Sequence, residues 1–503
     1  MDFQRMLDGA EVLSQQGSAQ LLGLDYDSRR TRPGWLFLAM KGESTDGNQY
    51  IDKAIESGAL AVVTDAPDQP PRAGIAWAVV PHGRRALARL SANFYGHPEN
   101  SLACTGVTGT NGKTTTTFIL EALLRAAGHS NVLIGTVEYH LPGRVLAAPH
   151  TTPEALELMQ LLREAISLGA TEAVMEVSSH ALAQQRVFGI PYDVAVFTNL
   201  TRDHLDFHHT MEEYFGAKRI LFEGCGTAPP RCAVINGDDE FGRQLLDFSR
   251  GHSEVVFSYG LSAGGFHAEK LQMTSAGNRF DLTTPDEHLP LFSPLLGRVN
   301  VYNAIAACAA AWARGCTGEQ IAAGLATMAR VPGRFEKVDA GQPFAVVVDY
   351  AHTDDALANV TRMAREFVSR DGGHGRVITV FGCGGDRDRS KRPLMGEAAG
   401  RGSDFVVVTS DNPRSEDPLV IINDSMPGLQ RSGVRYTAEP DRRKAISLAL
   451  HKANRGDIVV IAGKGHEKTQ TTRAGVFPFD DFEVAREELG RLGFIGDGGS
   501  GQR

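Results

Sequence analysis

Residues 101–116 read SLACTGVTGTNGKTTT. The apolar run Ser101 to Val107 has the composition of a buried strand. It feeds a polar, glycine-bearing stretch: Gly109, Thr110, Asn111, Gly112, Lys113, Thr114, Thr115. Phe118, Leu123 and Leu124 then recur at helical spacing, and Gly128 supplies a stop. Strand, glycine loop, Gly-Lys-Thr and helix together form a cradle for nucleotide phosphates. Backbone N–H groups and the positive helix end attract the anion, Lys113 adds a point charge, and the Thr114 hydroxyl suits magnesium. The strict pattern GxxxxGK[ST] requires glycine at 107, where Val107 stands; Gly106 is one place early. A chance glycine turn would not be flanked by a strand and a helix, so the phosphate reading is preferred. It predicts a bound nucleoside triphosphate and is silent about the acceptor.

Outward from this loop the same texture continues. FAVVVDY, RVITVFG, DFVVVTS and DIVVIAG read as buried strands, each followed at once by polar or glycine-rich residues: AHTDD, CGGDRDR, DNPR and KGHE. Strands alternating with helical patterns predict parallel α/β sheets, whose ligands bind beyond the carboxyl ends of the strands. Those four loops are therefore expected on one sheet edge. The chain has 503 residues, and at about 150 residues per domain its length suggests three domains. Changes in texture place them at 1–100, 101–333 and 334–503. PDQPPRAG reads as a surface loop, the tail at 496–503 reads as frayed, and no internal repeat is evident.

Composition excludes several classes. Apolar residues make up 42% and charged residues 22%, which fits a globular chain. A net charge of −9 argues against a general nucleic-acid binder, which needs a basic face. The six cysteines show no CxxC spacing, so neither a disulfide framework nor a zinc site is expected. The longest apolar run, Ala304 to Ala313, is far short of the roughly 18 residues of a membrane span. MDFQRMLDGAEVL has no signal-peptide pattern. The expectation is a reduced, cytoplasmic protein without membrane insertion.

The set of motifs is more specific than any member. GVTGTNGKTTT, EVSSH (176–180), NLTRDHLDFH (199–208), PGRFE (332–336) and DYAHT (349–353) resemble the Mur ligase family of ATP-dependent amide ligases in peptidoglycan precursor synthesis. DSR (27–29), DNPR (411–414) and GKGHE (463–467) narrow the resemblance to members that add meso-diaminopimelate. The resemblance implies a UDP-binding N-terminal domain, a central P-loop ATPase domain with a mainly parallel sheet, and a Rossmann-like C-terminal α/β domain for the amino acid. It implies ATP, a UDP-muramoyl dipeptide and meso-diaminopimelate as small-molecule substrates and Mg²⁺ as cofactor; a monomer is the expectation, which no motif decides. The implied reaction phosphorylates the D-glutamate side chain of UDP-N-acetylmuramoyl-L-alanyl-D-glutamate; the amine then displaces phosphate from the acyl phosphate.

By the same resemblance, magnesium is held by Thr114, Glu176, His204 and Lys218, the last as a carbamate, an anionic oxygen ligand in place of a cation. Taken alone, Lys218 in YFGAKRILF reads as a helical surface charge, and Glu176 as the end of the run AVMEV. Four histidines lie nearby, and only the Asp-His match selects His204. Asn303, Arg334 and Asp349 match positions for ATP's base, γ-phosphate and ribose; Lys113, Lys218, His204 and Arg334 are the expected catalytic set. Tyr350 and His352 share the Asp349 loop. The sugar-peptide is assigned Ser28, Glu43, Ser44, Thr45, Thr151, Thr152, Ser178, Gln184 and Arg186. The competing reading of Thr151 and Thr152 is a helix cap before Pro153. His150 stands where the family has asparagine, and Asp354 where it often has proline.

The amino-acid site is assigned Arg387, Asp411, Asn412, Pro413, Arg414, Gly463 and Glu467. Diaminopimelate differs from lysine by one carboxylate, which the fork of Arg414 can grip bidentately; Glu467 can meet the distal ammonium. Lysine-adding relatives lack this arginine. DNPR therefore argues against a lysine-adding sibling, and the N-terminal DSR region against a folylpolyglutamate synthase. Lys113, Glu176, His204 and Lys218 are all present, which argues against a decayed nucleotide-binding protein.

Overall fold

A computed structural model describes residues 1–43, 45–274, 276–328, 330–369 and 373–494. Ser44 and the tail at 496–503 lie outside the described residues.

Among the described residues, three large sheets follow one another along the chain. The first has five strands in the order Ser14–Gln16, Ala76–Val79, Ala61–Thr64, Trp35–Ala39, Gly23–Asp25, parallel except for the first. The second has eleven. Its middle is parallel: Cys232–Asn236, Tyr192–Phe197, Ala103–Thr108, Glu172–Glu176 and Asn131–Ile134 lie side by side. Both margins turn antiparallel. The third has six strands, and its centre is the expected quartet, Ala345–Asp349, Ile458–Ala462, Val377–Cys383 and Phe405–Ser410, all parallel.

Register places the chemistry. Ala103–Thr108 runs between Tyr192–Phe197 and Glu172–Glu176, with Glu176 opposite Val107 and Phe197 opposite Thr108. Three carboxyl ends therefore finish together under the phosphate loop. Gly106 lies inside this strand, where a Cβ would stand 2.8 Å from the Tyr192 ring. That close approach accounts for a glycine one place earlier than the strict motif.

The helix Lys113–Ala126 leaves the loop and buries Ile119, Leu120, Leu123 and Leu124. It packs on Arg298–Ala313, whose run of alanines is buried on every side. Small side chains let two helices and a sheet approach closely, and removal of that area from water is the main driving force. All six cysteines are buried free thiols. Among the described residues no helix is long and apolar enough to cross a membrane.

Candidate active site

The loop turns on two glycines with positive φ. A Cβ on Gly109 (φ 144°) would fall 1.9 Å from Thr198 Oγ1, and one on Gly112 (φ 89°) would fall 2.4 Å from Asn303 Oδ1. Asn303 thus flanks the loop directly, its amide also donating to Asn300 Oδ1. Lys113 Nζ donates to the carbonyls of Gly109 and Thr110, both at 2.9 Å. Lys218, on the helix Met211–Glu223, is only 1% exposed, and its Nζ donates to the same Gly109 carbonyl at 2.8 Å. The surface reading of Lys218 is therefore corrected: its helix faces the loop, not water. Burial pulls both amines below their usual range, Lys218 far below, and Lys113 depresses Lys218 further.

Glu176 is fully buried at its strand end. Its carboxylate accepts from Thr136 N at 2.8 Å and Thr136 Oγ1 at 3.0 Å. His204 takes a positive φ of 53° before the short helix Leu205–His208 and packs edge-on against His180. Desolvation, with further repulsion from His180 and the two lysines, holds it down at about 4 against the pull of Asp203, so near neutral pH it is an uncharged imidazole.

From the turn before the strand Glu336–Lys337, Arg334 Nη2 reaches Thr114 Oγ1 at 3.1 Å, its guanidinium lies over the Tyr350 ring, and its Nε is buried with no hydrogen-bond partner among the described residues. Asp349 accepts from the N–H groups of Phe335 and Ala351, and burial raises its pKa while Arg334 opposes. The loop, Thr151, Glu176, Ser178, His204, Asn303, Arg334, Asp349, Tyr350 and His352 line one cavity of about 520 Å³.

Towards the first sheet, Glu43 meets Gln184, which also accepts from Arg186 Nη2 at 2.7 Å. Arg186 Nη1 donates to Thr152 O, and Thr152 Oγ1 donates to Glu176 O at 2.8 Å. The threonine pair does not cap a helix: the following helix, Ala155–Ser167, has Glu154 at its cap position and no side-chain cap bond. Glu43 and Thr45 are exposed; Ser28 is buried and makes no hydrogen bond to this cluster among the described residues. His150 is exposed, and its carbonyl accepts from Tyr139.

The third-sheet edge gathers the remaining residues. Gly463 N donates to Asp349 O at 3.1 Å, and a Cβ there would crowd Asp411. Pro413 is buried beside Gly385, where a Cβ would stand 1.9 Å from the Pro413 carbonyl. Asn412 donates to Glu467 at 2.8 Å. Lys464, wholly buried, contacts both, at 2.9 Å to Glu467 and 3.2 Å to Asn412. Glu467 is thus already paired within the chain. Arg414 (φ 50°) donates to Gly385 O at 2.7 Å, and neither it nor the exposed Arg387 forms an ion pair among the described residues. Sequence reasoning missed Thr136, Lys464 and the clamp of Asp355 on Thr201 and Asn111. Lys464 lies in GKGHE, Asp355 in AHTDD and Thr201 in NLTRDHLDFH, so the motifs flagged their segments but not these side chains; for Thr136 the only local signal is the preceding glycine.

Family models fit in chain order: "Mur ligase family, catalytic domain" over 21–95, "Mur ligase middle domain" over 107–311, and "Mur ligase, glutamate ligase domain" over 333–465. The chain belongs to the Mur ligase family. It is accordingly an ATP-dependent ligase joining an acid to an amino acid. A UDP-N-acetylmuramoyl-L-alanyl-D-glutamate–2,6-diaminopimelate ligase of Solibacter usitatus is 52% identical over 94% of each chain. One from Geobacter metallireducens is 44% identical over 98% of this chain and 100% of its own. A solved structure of a ligase with the same name is 34% identical, with a TM-score of 0.69 over 98% of this chain and 99% of its own.

Proposed function

We propose that this Mur ligase joins meso-diaminopimelate to UDP-N-acetylmuramoyl-L-alanyl-D-glutamate in the cytoplasm, forming ADP and phosphate through an acyl phosphate. The observation that carries the amino-acid choice is Arg414, a guanidinium at the third-sheet edge with a carbonyl contact and, among the described residues, no ion pair with a carboxylate. An arginine so placed can take the carboxylate that lysine lacks. The 52% identical relative bears the same named specificity.

ATP lies on residues Gly109 to Thr115, with Asn303 by the base, Asp349 by the ribose and Arg334 at the γ-phosphate. The unpartnered Nε of Arg334 suits that anion. The sugar-peptide is held by Ser28, Glu43, Ser44, Thr45, Thr151, Thr152, Ser178, Gln184 and Arg186. A carboxylate oxygen of D-glutamate attacks the γ-phosphorus, and ADP departs. The amine of diaminopimelate then attacks the acyl carbon and expels phosphate. Lys113 and Arg334 offset the charge that develops on the transferred group; positioning and charge supply most of the rate. Arg387, Asp411, Asn412, Pro413, Arg414 and Gly463 hold the amino acid. Glu467, tethered by Lys464, faces its ammonium.

The oxygens of Thr114 and Glu176, which line one cavity with His204, fit magnesium; by the family resemblance His204 and Lys218, the latter as a carbamate, would help hold it. When bound, magnesium neutralises phosphate charge. Among the described residues no group of three or more His, Cys, Asp or Glu side chains could hold a metal alone, so the ion would need oxygens from the substrate phosphates as well. The test uses D-glutamate carrying heavy oxygen in its side chain. An acyl phosphate transfers one labelled oxygen to the released phosphate; unlabelled phosphate overturns the mechanism.

A further inference from the structure

Thr136 follows the strand Asn131–Ile134, one residue after Gly135. A Cβ at Gly135 would lie 2.5 Å from Glu176 Oε1, so only glycine lets this turn close over the carboxylate. Thr136 N–H donates to Oε1 at 2.8 Å, and Thr136 Oγ1 approaches Oε2 at 3.0 Å. The same hydroxyl lies 3.1 Å from Thr151 Oγ1. A carboxylate only accepts, and a threonine hydroxyl has one proton. The proton of Thr136 is therefore committed to Glu176, and the contact with Thr151 must run the other way, from Thr151 to Thr136.

We infer that Thr136 is a positioning residue that ties the sugar-peptide side of the cleft to the carboxylate of Glu176. This rests on the magnesium and sugar-peptide roles proposed above. The chain of donors runs Thr151 to Thr136 to Glu176. It has two consequences. Glu176 is held by two hydrogen bonds from one residue, the kind of support that typically sets metal affinity by ten- to a hundredfold. Thr151, its proton committed, presents only lone pairs to the cleft, so it receives an N–H or O–H of the sugar-peptide and not a carbonyl or carboxylate.

Thr136→Val keeps the shape and the backbone N–H while removing the hydroxyl; Thr136→Ser keeps the hydroxyl. Mn²⁺ binding is measured by water-proton relaxation in the presence of a non-hydrolysable ATP analogue, alongside KM for the sugar-peptide. Thr136→Val is expected to weaken Mn²⁺ about tenfold and to raise that KM, with Thr136→Ser close to the parent. Combined with Thr151→Val, the effects on KM should fall short of additive. Thr136→Ala replaces the valine variant if the latter does not fold. Unchanged Mn²⁺ affinity in a folded hydroxyl-less variant overturns the inference, as do fully additive effects. Failure of the parent to bind Mn²⁺ with the analogue would instead overturn the functional reading itself.

Discussion

Lys113 and Lys218 donate to one oxygen, the carbonyl of Gly109, at 2.9 and 2.8 Å. Two ammonium groups on one acceptor in a buried site repel each other, and among the described residues no carboxylate forms an ion pair with Lys218. Burial therefore favours the neutral amine at Lys218. A neutral amine adds carbon dioxide and releases one proton to water, and the resulting carbamate anion would turn the repulsion into a salt bridge with Lys113. Exchange with labelled bicarbonate should give a carbamate carbon resonance that is absent in Lys218→Ala. That variant should lose at least about a hundredfold in kcat, with partial rescue by chloride or acetate. Full activity in Lys218→Arg would sink the carbamate.

Arg414 should decide selectivity. Losing charge-assisted hydrogen bonds of about 1.5–3 kcal/mol corresponds to roughly ten- to a hundredfold in affinity. Arg414→Ala is therefore expected to raise KM for diaminopimelate by that factor while leaving KM for ATP near the parent value. An unchanged diaminopimelate KM would contradict the assignment.

Asp354 and Asp355 are neighbours with different expected weights. Asp355 accepts from Thr201 Oγ1 at 2.9 Å and from the loop residue Asn111 at 3.4 Å. Asp354 pairs with Arg202, which is over half exposed. Exposed pairs contribute about 0–1 kcal/mol, and Asp354 is the first residue of Asp354–Val368, where proline is tolerated after an extended Thr353. Asp354→Pro should leave KM for ATP near the parent value. Asp355→Ala should raise KM for ATP severalfold. Steady-state titrations of ATP separate them; a reversed order would refute the clamp.

His140 supplies a pH signature. Burial works against its charge, but hydrogen bonds to Glu121 and Glu138 outweigh it and hold the imidazolium up to about 9. A raised folded pKa stabilises fully below the unfolded value near 6.5 and is lost as pH climbs towards 9. Urea midpoints should therefore fall between pH 7 and 9, in the window of that shift, and the fall should be smaller in His140→Gln. Equal slopes in both proteins would rule this out.

Arg442 and Asp481 form a wholly buried ion pair at 2.6 Å in the third sheet's layer. Removing one partner strands the other, at a cost of about 3–5 kcal/mol. Asp481→Ala should lower the thermal midpoint markedly; a shift as small as that of a surface variant would show the pair to be solvated.

The phosphate loop and the four third-sheet strands were legible because both are local patterns: a glycine run between a strand and a helix, and β-branched runs ending in polar loops. Lys218 was not, because helix Met211–Glu223 shows only weak amphipathic patterning and its lysine turns inward under the loop. Thr136 with Glu176, and Asn111 with Asp355, were invisible because each pair meets only after the chain has folded back by tens to hundreds of residues. The competing reading of Thr151 and Thr152 as a helix cap failed for a related reason: a hydrogen bond from Thr152 to the neighbouring strand end took the hydroxyl.

The assignment stands or falls on phosphate release from ATP in the presence of UDP-N-acetylmuramoyl-L-alanyl-D-glutamate, with meso-diaminopimelate, with L-lysine, or with no amino acid. Release is expected only with diaminopimelate, with a tripeptide product of matching mass. Equal release with lysine would contradict the role of Arg414, and release with neither amino acid would contradict the assignment as a whole.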